Sequence, residues 1–145
     1  MPRKFAVEYI DRLLADATYI DLVHLSSVIC SSARYQSPSP DYGLPLPAFL
    51  FVETLCWFAQ SIRSGVSTYY QATPQARQNS MLTALKESAP EEFRSWYEQG
   101  MRDWREEAKA TAVDDWIEAN DQRATDWLLT LARKNRDTLV ALTAE

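Results

Sequence analysis

Apolar residues recur along most of the chain at spacings of three and four, which is the periodicity of amphipathic α-helices. Residues 4–16 and 19–34 predict the first two helices, and Thr18 is placed to cap the second. Residues 47–64 are apolar on nearly all sides, which predicts a helix at the centre of the domain. A buried carboxylate must be paired or protonated, so Glu53 in this helix is either a rim residue or a fixed polar anchor.

Proline and glycine mark the connections between the predicted helices. Residues 35–47 contain four prolines and one glycine, which forbid a continuous helix and favour extended backbone. We interpret this segment as a stiff surface connection, and the alternative is a polyproline ligand for an aromatic groove. Gly65 is typical of a helix C-terminus, and Thr73-Pro74 is typical of a helix start.

The second half of the chain also has a helical pattern. Ser88 to Glu92 forms a start signal, after which apolar residues step by four, four, three and four at Phe93, Tyr97, Met101, Trp104 and Ala108. Thr111 to Asp114 predicts the start of another helix, and residues 122–142 predict the last one. No strand pattern is present. We therefore predict an all-α fold, a single-domain irregular bundle of six or seven helices over residues 1–145.

Negative charge is concentrated in one stretch of the chain. From Glu87 to Asp121 there are eleven Asp and Glu residues against four Lys and Arg residues, whereas the whole chain has a net charge of −5. Such a balance argues against direct binding of nucleic acid, because phosphate recognition relies on clustered Lys and Arg. It favours instead a protein partner with a basic surface.

The sequence contains no set of residues typical of catalysis. His24 is the only histidine, and its position in a predicted helix indicates a structural role. Cys30 and Cys56 lack the spacing of a metal or redox motif and are interpreted as small buried hydrophobes, with a disulfide between them left open. Adjacent carboxylates on a helix point about 100° apart and do not converge on one site. We predict no catalytic residues, no metal site, no cofactor and no enzymatic activity.

The predicted binding site lies in the acidic stretch. Trp57, Trp104 and Trp127 are expected in the core, whereas Trp96 and Trp116 stand among charged residues and are expected to be exposed anchors. The predicted partner-binding set combines these two tryptophans with seven carboxylates: Glu91, Glu92, Trp96, Glu98, Asp103, Glu106, Glu107, Asp114 and Trp116.

The chain carries no predicted membrane segment. No apolar run approaches the length that a spanning helix needs, and charged residues interrupt residues 1–14, where a secretory signal would need an apolar run. We therefore expect a cytoplasmic protein without a membrane partner.

Several segments follow one another in an order that is known from a protein family. They are Phe51-Val52-Glu53, Arg63-Ser64-Gly65-Val66, Tyr69-Tyr70, Asp115-Trp116-Ile117, and Leu128-Leu129 through Arg133-Lys134-Asn135-Arg136. Over about residues 48–140 this order resembles the DNA-mimic protein 19-like family of small bacterial all-helical proteins. Residues 63–66 depart from the Asn-Gly-Gly-Phe-type turn of that family, because they keep one glycine and lack the asparagine and phenylalanine. The resemblance implies an all-α fold and a non-enzymatic, protein-binding role.

Two functions in particular are consistent with these features. The first is an immunity protein that occludes the basic active cleft of a cognate bacterial toxin or effector domain. The alternative is a DNA mimic, in which carboxylates stand in for phosphates and titrate a DNA-binding protein or transcription factor. A small enzyme and a structural subunit of a larger assembly are weaker alternatives. The sequence leaves the oligomeric state open, including a homodimer.

Overall fold

The computed structural model describes residues 5–16 and 18–143, and all regular secondary structure within these ranges is helical. The all-α prediction is therefore confirmed. Nine helices occur in the described residues, more than the six or seven predicted: α1 (Val7–Asp16), α2 (Tyr19–Cys30), α3 (Leu46–Ser64), α4 (Val66–Ala72), α5 (Gln75–Ser88), α6 (Glu91–Asp103), α7 (Glu107–Ala119), α8 (Asp121–Lys134) and α9 (Arg136–Leu142).

The chain divides into two compact units. The first consists of Met1–Leu55 together with Arg123–Glu145, and the second consists of Cys56–Gln122. The boundaries between them fall inside α3 and near the start of α8. None of the helices in the described ranges combines the length and the apolar character that a membrane span requires.

In the first unit, the start of α2 is held by the predicted cap. The hydroxyl of Thr18 accepts a hydrogen bond from the backbone N–H of Asp21 at 3.2 Å, and the Thr18 N–H donates to the Asp21 carboxylate at 3.0 Å. These reciprocal bonds satisfy two backbone donors that a helix start leaves unpaired. The helix ends at Cys30 rather than at residue 34. The predicted first helix began at Lys4, which lies outside the described residues.

Two arginines of the last two helices bind α1. The guanidinium of Arg133 donates to the carbonyl of Leu14 at 2.9 Å, and Arg136 donates to both carboxylate oxygens of Asp11 at 2.8 and 3.0 Å. Arg136 also lowers the pKa of Asp11, chiefly through this hydrogen bonding. The predicted last helix, 122–142, is divided at Asn135, whose side chain donates to the Leu131 carbonyl at 2.9 Å and caps α8.

The proline-rich connection forms compact turns rather than the extended backbone that was predicted. The N–H of Gln36 donates to the carbonyl of Tyr42 at 2.7 Å, which closes the segment into a loop. Tyr42 and Gly43 have φ values of 56° and 69°, in the left-handed region. A side chain at Gly43 would lie 2.7 Å from the Arg34 carbonyl oxygen, so only glycine fits there. A closed loop of this kind does not offer the open extended backbone of a polyproline ligand.

The loop also supplies a partner for the buried carboxylate in α3. Glu53 is 1% exposed, and the hydroxyl of Tyr42 donates to its Oε1 at 2.7 Å. Of the two roles left open for Glu53, the fixed polar anchor is therefore the correct one. The bond ties the closed loop to α3.

Replacing Tyr42 by Phe should destabilise the protein by about 1–3 kcal/mol, because it removes a donor from a buried carboxylate. Urea denaturation followed by circular dichroism measures the change. Tyr19→Phe is the control, since Tyr19 is exposed on α2. Equal stability of both variants would contradict the anchor role.

In the second unit, Gly65 ends α3 as predicted, with a φ of 90°. The starts predicted at Thr73-Pro74 and Ser88 to Glu92 are also confirmed, because α5 and α6 begin directly after Pro74 and Pro90. The helix α4, which was not predicted, packs against α6 and α7.

The contact of α4 with α6 depends on one glycine. The hydroxyl of Tyr70 donates to the carbonyl of Tyr97 at 2.9 Å. A Cβ atom at Gly100 would collide with the ring and hydroxyl of Tyr70. The absence of a side chain at Gly100 thus allows the buried tyrosine to reach the α6 backbone.

Aromatic rings fill the space between the helices of this unit. Trp57 contacts Tyr97 edge-on, with ring centroids 4.9 Å apart, and Phe93 contacts Trp116 edge-on at 5.4 Å. Phe58 lies within 5.9 Å of Trp116. Edge-to-face pairs of this kind add to the stabilisation that burial of the rings provides.

The predicted apolar face from Phe93 to Ala108 does not form one helix. The helix α6 ends at Asp103, Trp104 follows as its C-terminal cap, and α7 begins at Glu107. Ala108 is exposed, and Thr111 lies inside α7 rather than at its start. A turn closed by the Glu106 N–H donating to the Asp103 carbonyl separates the helices, and no proline or glycine marks it.

Gly100→Ala should lower the stability by about 1–3 kcal/mol, because the added methyl group overlaps the Tyr70 ring. Ser95→Ala is the matched control, since Ser95 is exposed on the same helix and alanine has the higher helix propensity. The control should be neutral or slightly stabilised in urea denaturation. If Gly100→Ala is also more stable than the wild type, the Tyr70 ring does not lie against Gly100 as described.

Candidate functional site

The predicted contact set lies on α6, on the turn after it and on α7, all within the second unit. Glu91 and Glu92 occupy the first turn of α6, where the helix dipole favours negative charge. The structure brings most of the set together in small groups, each organised around a basic residue or a tryptophan.

One group is centred on Arg94. Its guanidinium lies 3.4 Å from the Glu91 carboxylate and 3.6 Å from that of Glu98, one turn away on each side. Both pairs have the i, i+3 or i, i+4 spacing at which helix side chains meet. Arg94 therefore offsets part of the negative charge that the predicted site assigns to α6.

A second group is centred on Lys109. Its ammonium nitrogen lies 3.0 Å from Glu106 and 3.9 Å from Asp103, and Arg102 lies 3.3 Å from Asp103. The carboxylates raise the pKa of Lys109, with the hydrogen bond to Glu106 as the largest cause. The carboxylates at the turn between α6 and α7 are thus also matched by positive charge.

The two tryptophans of the predicted set lie in different environments. Trp116 is 8% exposed, and its indole N–H donates to the Glu92 carboxylate at 2.7 Å. The prediction that Trp116 is an exposed anchor is therefore wrong: its ring packs in the core between α6 and α7. Trp96 is half-buried and stacks on Trp116, with centroids 5.6 Å apart and planes 13° apart.

The remaining tryptophans were all expected in the core. Trp57 is fully buried, as expected. Trp104 and Trp127 are only half-buried, and the guanidinium of Arg105 lies 4.3 Å above the ring of Trp104. The core prediction is therefore confirmed for Trp57, whereas neither Trp104 nor Trp127 is fully buried. Trp104 follows the last residue of α6 and does not lie inside a longer helix.

Asp114 has a structural contact that the sequence did not indicate. Its Oδ1 accepts a hydrogen bond from the Val66 N–H at 2.8 Å, at the start of α4. Burial raises the pKa of the Asp114 carboxyl, and the nearby Asp115 adds to the rise, whereas the Val66 bond acts in the opposite direction.

The outer face of α7 carries three exposed carboxylates, those of Glu107, Asp115 and Glu118. In the described residues none of them forms an ion pair. Glu107 and Glu118 are eleven residues apart and lie almost in line along the helix, about 16 Å from each other. Asp115 and Glu118 were missing from the predicted set. Glu118 is one helical turn from Asp114 and lies on the same side of α7, whereas Asp115 is adjacent to Asp114 and points about 100° away from it.

Cysteine and histidine, residue types typical of covalent and metal chemistry, are few in the described residues. No group of three or more potential ligands is close enough to hold a metal ion in residues 5–16 and 18–143. Cys30 and Cys56 are free thiols, and burial raises the pKa of Cys30, which lowers its fraction of reactive thiolate. His24 is exposed on α2.

Comparisons of the chain with models of protein families, with curated proteins and with solved structures gave no match.

Asp114→Ala should destabilise the protein by about 1–2 kcal/mol, because the Val66 N–H loses its acceptor. Asp114→Asn keeps an acceptor oxygen for the Val66 N–H and removes the ionisable carboxyl, whose pKa is raised in the fold. Ionisation of Asp114 lowers the free energy of unfolding as the pH rises through the raised pKa of this carboxyl. Below the ordinary pKa of aspartate the group is protonated in both states, and the effect is absent.

At neutral pH, Asp114→Asn should therefore be at least as stable as the wild type in urea denaturation. The wild type should gain relative to Asp114→Asn as the pH falls through the raised pKa. A loss of stability for the asparagine variant as large as that for alanine would contradict this assignment.

Proposed function

We propose that this protein is a non-enzymatic inhibitor that binds a basic surface of a protein partner through the outer face of α7. The partner is a toxin or effector domain, so that the protein acts as an immunity protein in the bacterial cytoplasm. The observation that supports the proposal is the row of three exposed carboxylates on α7, Glu107, Asp115 and Glu118, which lack ion-pair partners among the described residues.

Some carboxylates of the predicted site form ion pairs within the protein, and in the described part of the chain those on the outer face of α7 do not. Carboxylates that already contact Arg94 or Lys109 contribute less to the field outside the protein, because the two charges partly cancel. If such a carboxylate left its ion pair to contact a partner, the interaction energy of that ion pair would also be lost. The α7 carboxylates carry neither penalty, and on a rigid helix they keep their spacing when a partner binds.

The acidic face of α7 would first affect the rate at which the partner binds. A row of negative charge steers a positively charged partner and raises the association rate, and the effect declines as salt screens the field. Once the complex forms, the body of the protein would exclude substrate from the basic cleft of the partner. Trp96, stacked on the buried Trp116, provides a rigid aromatic ring on a neighbouring helix.

The DNA-mimic alternative needs many unpaired carboxylates at the spacing of phosphates. The ion pairs of Arg94 and Lys109 remove Glu91, Glu98 and Glu106 from that set. The immunity hypothesis needs only a local acidic face, so we favour it. The two hypotheses differ in an observable way, because duplex DNA competes only with a DNA mimic.

The test compares two variants with the same change in charge. In the α7 variant, Glu107, Asp115 and Glu118 are replaced by their amides. In the α6 variant, the same change is made at the ion-paired residues Glu91 and Glu98 of α6 and Glu106 of the turn that follows it. Tagged proteins are used to capture a partner from lysate of the source organism, and the affinity for the purified partner is then measured. We expect about tenfold or greater weakening for the α7 variant and about threefold or less for the α6 variant.

Two further measurements complete the test. The captured protein should have a toxic or degradative activity that the wild type abolishes and the α7 variant does not. Equal weakening by both variants would show that the surface extends over α6, against the α7 assignment. Recovery of a DNA-binding protein that added duplex releases would favour the DNA mimic.

A further inference from the structure

The α7 face borders a cleft of about 340 Å³, which is lined by Ser61, Ile62, Gly65, Asp114 and Glu118. All five residues belong to the second unit. We propose that this cleft is a receptor for an arginine side chain of the partner, and that its guanidinium binds between Asp114 and Glu118. This inference rests on the proposed function, since it assigns one contact of the same binding face.

Two carboxylates face each other across one turn of α7 at this cleft. Asp114 and Glu118 are one helical turn apart on α7 and both line the cleft. The Val66 N–H occupies Oδ1 of Asp114, and Oδ2 lies 3.7 Å from the place where a Cβ atom of residue 65 would be. Gly65 therefore leaves room beside this oxygen for an incoming donor.

A second feature of the cleft is an uncharged polar side chain. Ser61 is 4% exposed, and its buried hydroxyl oxygen has no hydrogen-bond partner among the described residues. A buried hydroxyl without a partner costs stability, so such groups need an explanation where they occur. Ser61 lines the cleft, and rotation of its side chain about χ1 would bring the hydroxyl to an N–H group that is bound there.

An arginine side chain of the partner can contact all of these groups together. Ile62 is 52% exposed at the cleft, although it is a large apolar residue. Arginine combines several N–H donors in a planar fork with an aliphatic stem that packs on apolar surface. The carboxylates, the hydroxyl and the isoleucine match these features. A divalent cation would match only the carboxylates, and two of them make a poor site.

The test uses N-acetyl-arginine amide as the probe and N-acetyl-citrulline amide, which has the same shape without the charge, as the control ligand. Binding is followed by NMR through the backbone amides of Gly65 and Val66. We expect shifts at these amides with the arginine compound and none with the citrulline compound. Shifts with calcium or magnesium ions but not with the arginine compound would overturn the proposal.

Variants of the cleft make the assignment specific. Glu118→Gln should weaken probe binding about threefold, and Ser61→Ala about fivefold. Glu87→Gln is the matched control, because it removes the same charge from an exposed position of the same unit and lies outside both the cleft and the α7 face. Ser61→Ala should also raise the midpoint of urea denaturation, since it removes a buried hydroxyl without a partner. A lowered midpoint would mean that the hydroxyl is bonded within the fold, against the proposal.

The cleft and the proposed function can fail separately. If the probe does not bind but the α7 amide variant still loses the partner, the cleft is wrong and the binding face stands. If the probe binds and depends on Ser61 and Glu118 while the α7 variant keeps full affinity for the partner, the cleft is an arginine site but the proposed function is wrong.

Discussion

The hydrogen bond from the indole of Trp116 to Glu92 sets the rotation of α7, and the surface of the second unit depends on that rotation. A buried indole N–H needs an acceptor, and Glu92 provides it at 2.7 Å. Successive helix residues point about 100° apart, so an inward Trp116 turns Asp115 and Glu118 outward. It also places Asp114 beside the start of α4, where it binds the Val66 N–H. Rotation of α7 by one residue would break both hydrogen bonds.

The charge of the acidic stretch has two different roles within one short segment. On α6 and on the turn that follows, Arg94 and Lys109 lie between carboxylates and offset their field. On the outer face of α7 the carboxylates have no such partner in the described part of the chain. Net charge therefore says little about where the protein is electrostatically active, because the local pairing of charges decides the external field.

Asp114 connects the stability of the second unit to its proposed binding function. One of its oxygens holds the start of α4, and the other lies in the cleft beside Gly65. Burial that raises the pKa of this carboxyl shows that its charge is unfavourable in the fold. A positive group in the cleft would relieve that cost, and it would also satisfy the hydroxyl of Ser61. Sites that bind a ligand commonly retain such locally unfavourable groups.

The sequence by itself determined the helical class, the cap at Thr18, the end of α3 at Gly65 and the starts of α5 and α6. These features follow from periodicity and from the conformational limits of single residues, which act over a few neighbours. The tertiary structure alone decided that Tyr42 pairs with Glu53, that Trp116 is buried and that Asp114 caps α4. The hydrogen bond between Trp116 and Glu92 spans 24 positions of the sequence, and the one between Asp114 and Val66 spans 48. No local sequence pattern can therefore contain either bond. Burial and pairing are properties of the packed chain, and they decide which members of an acidic, tryptophan-rich segment are available to a partner.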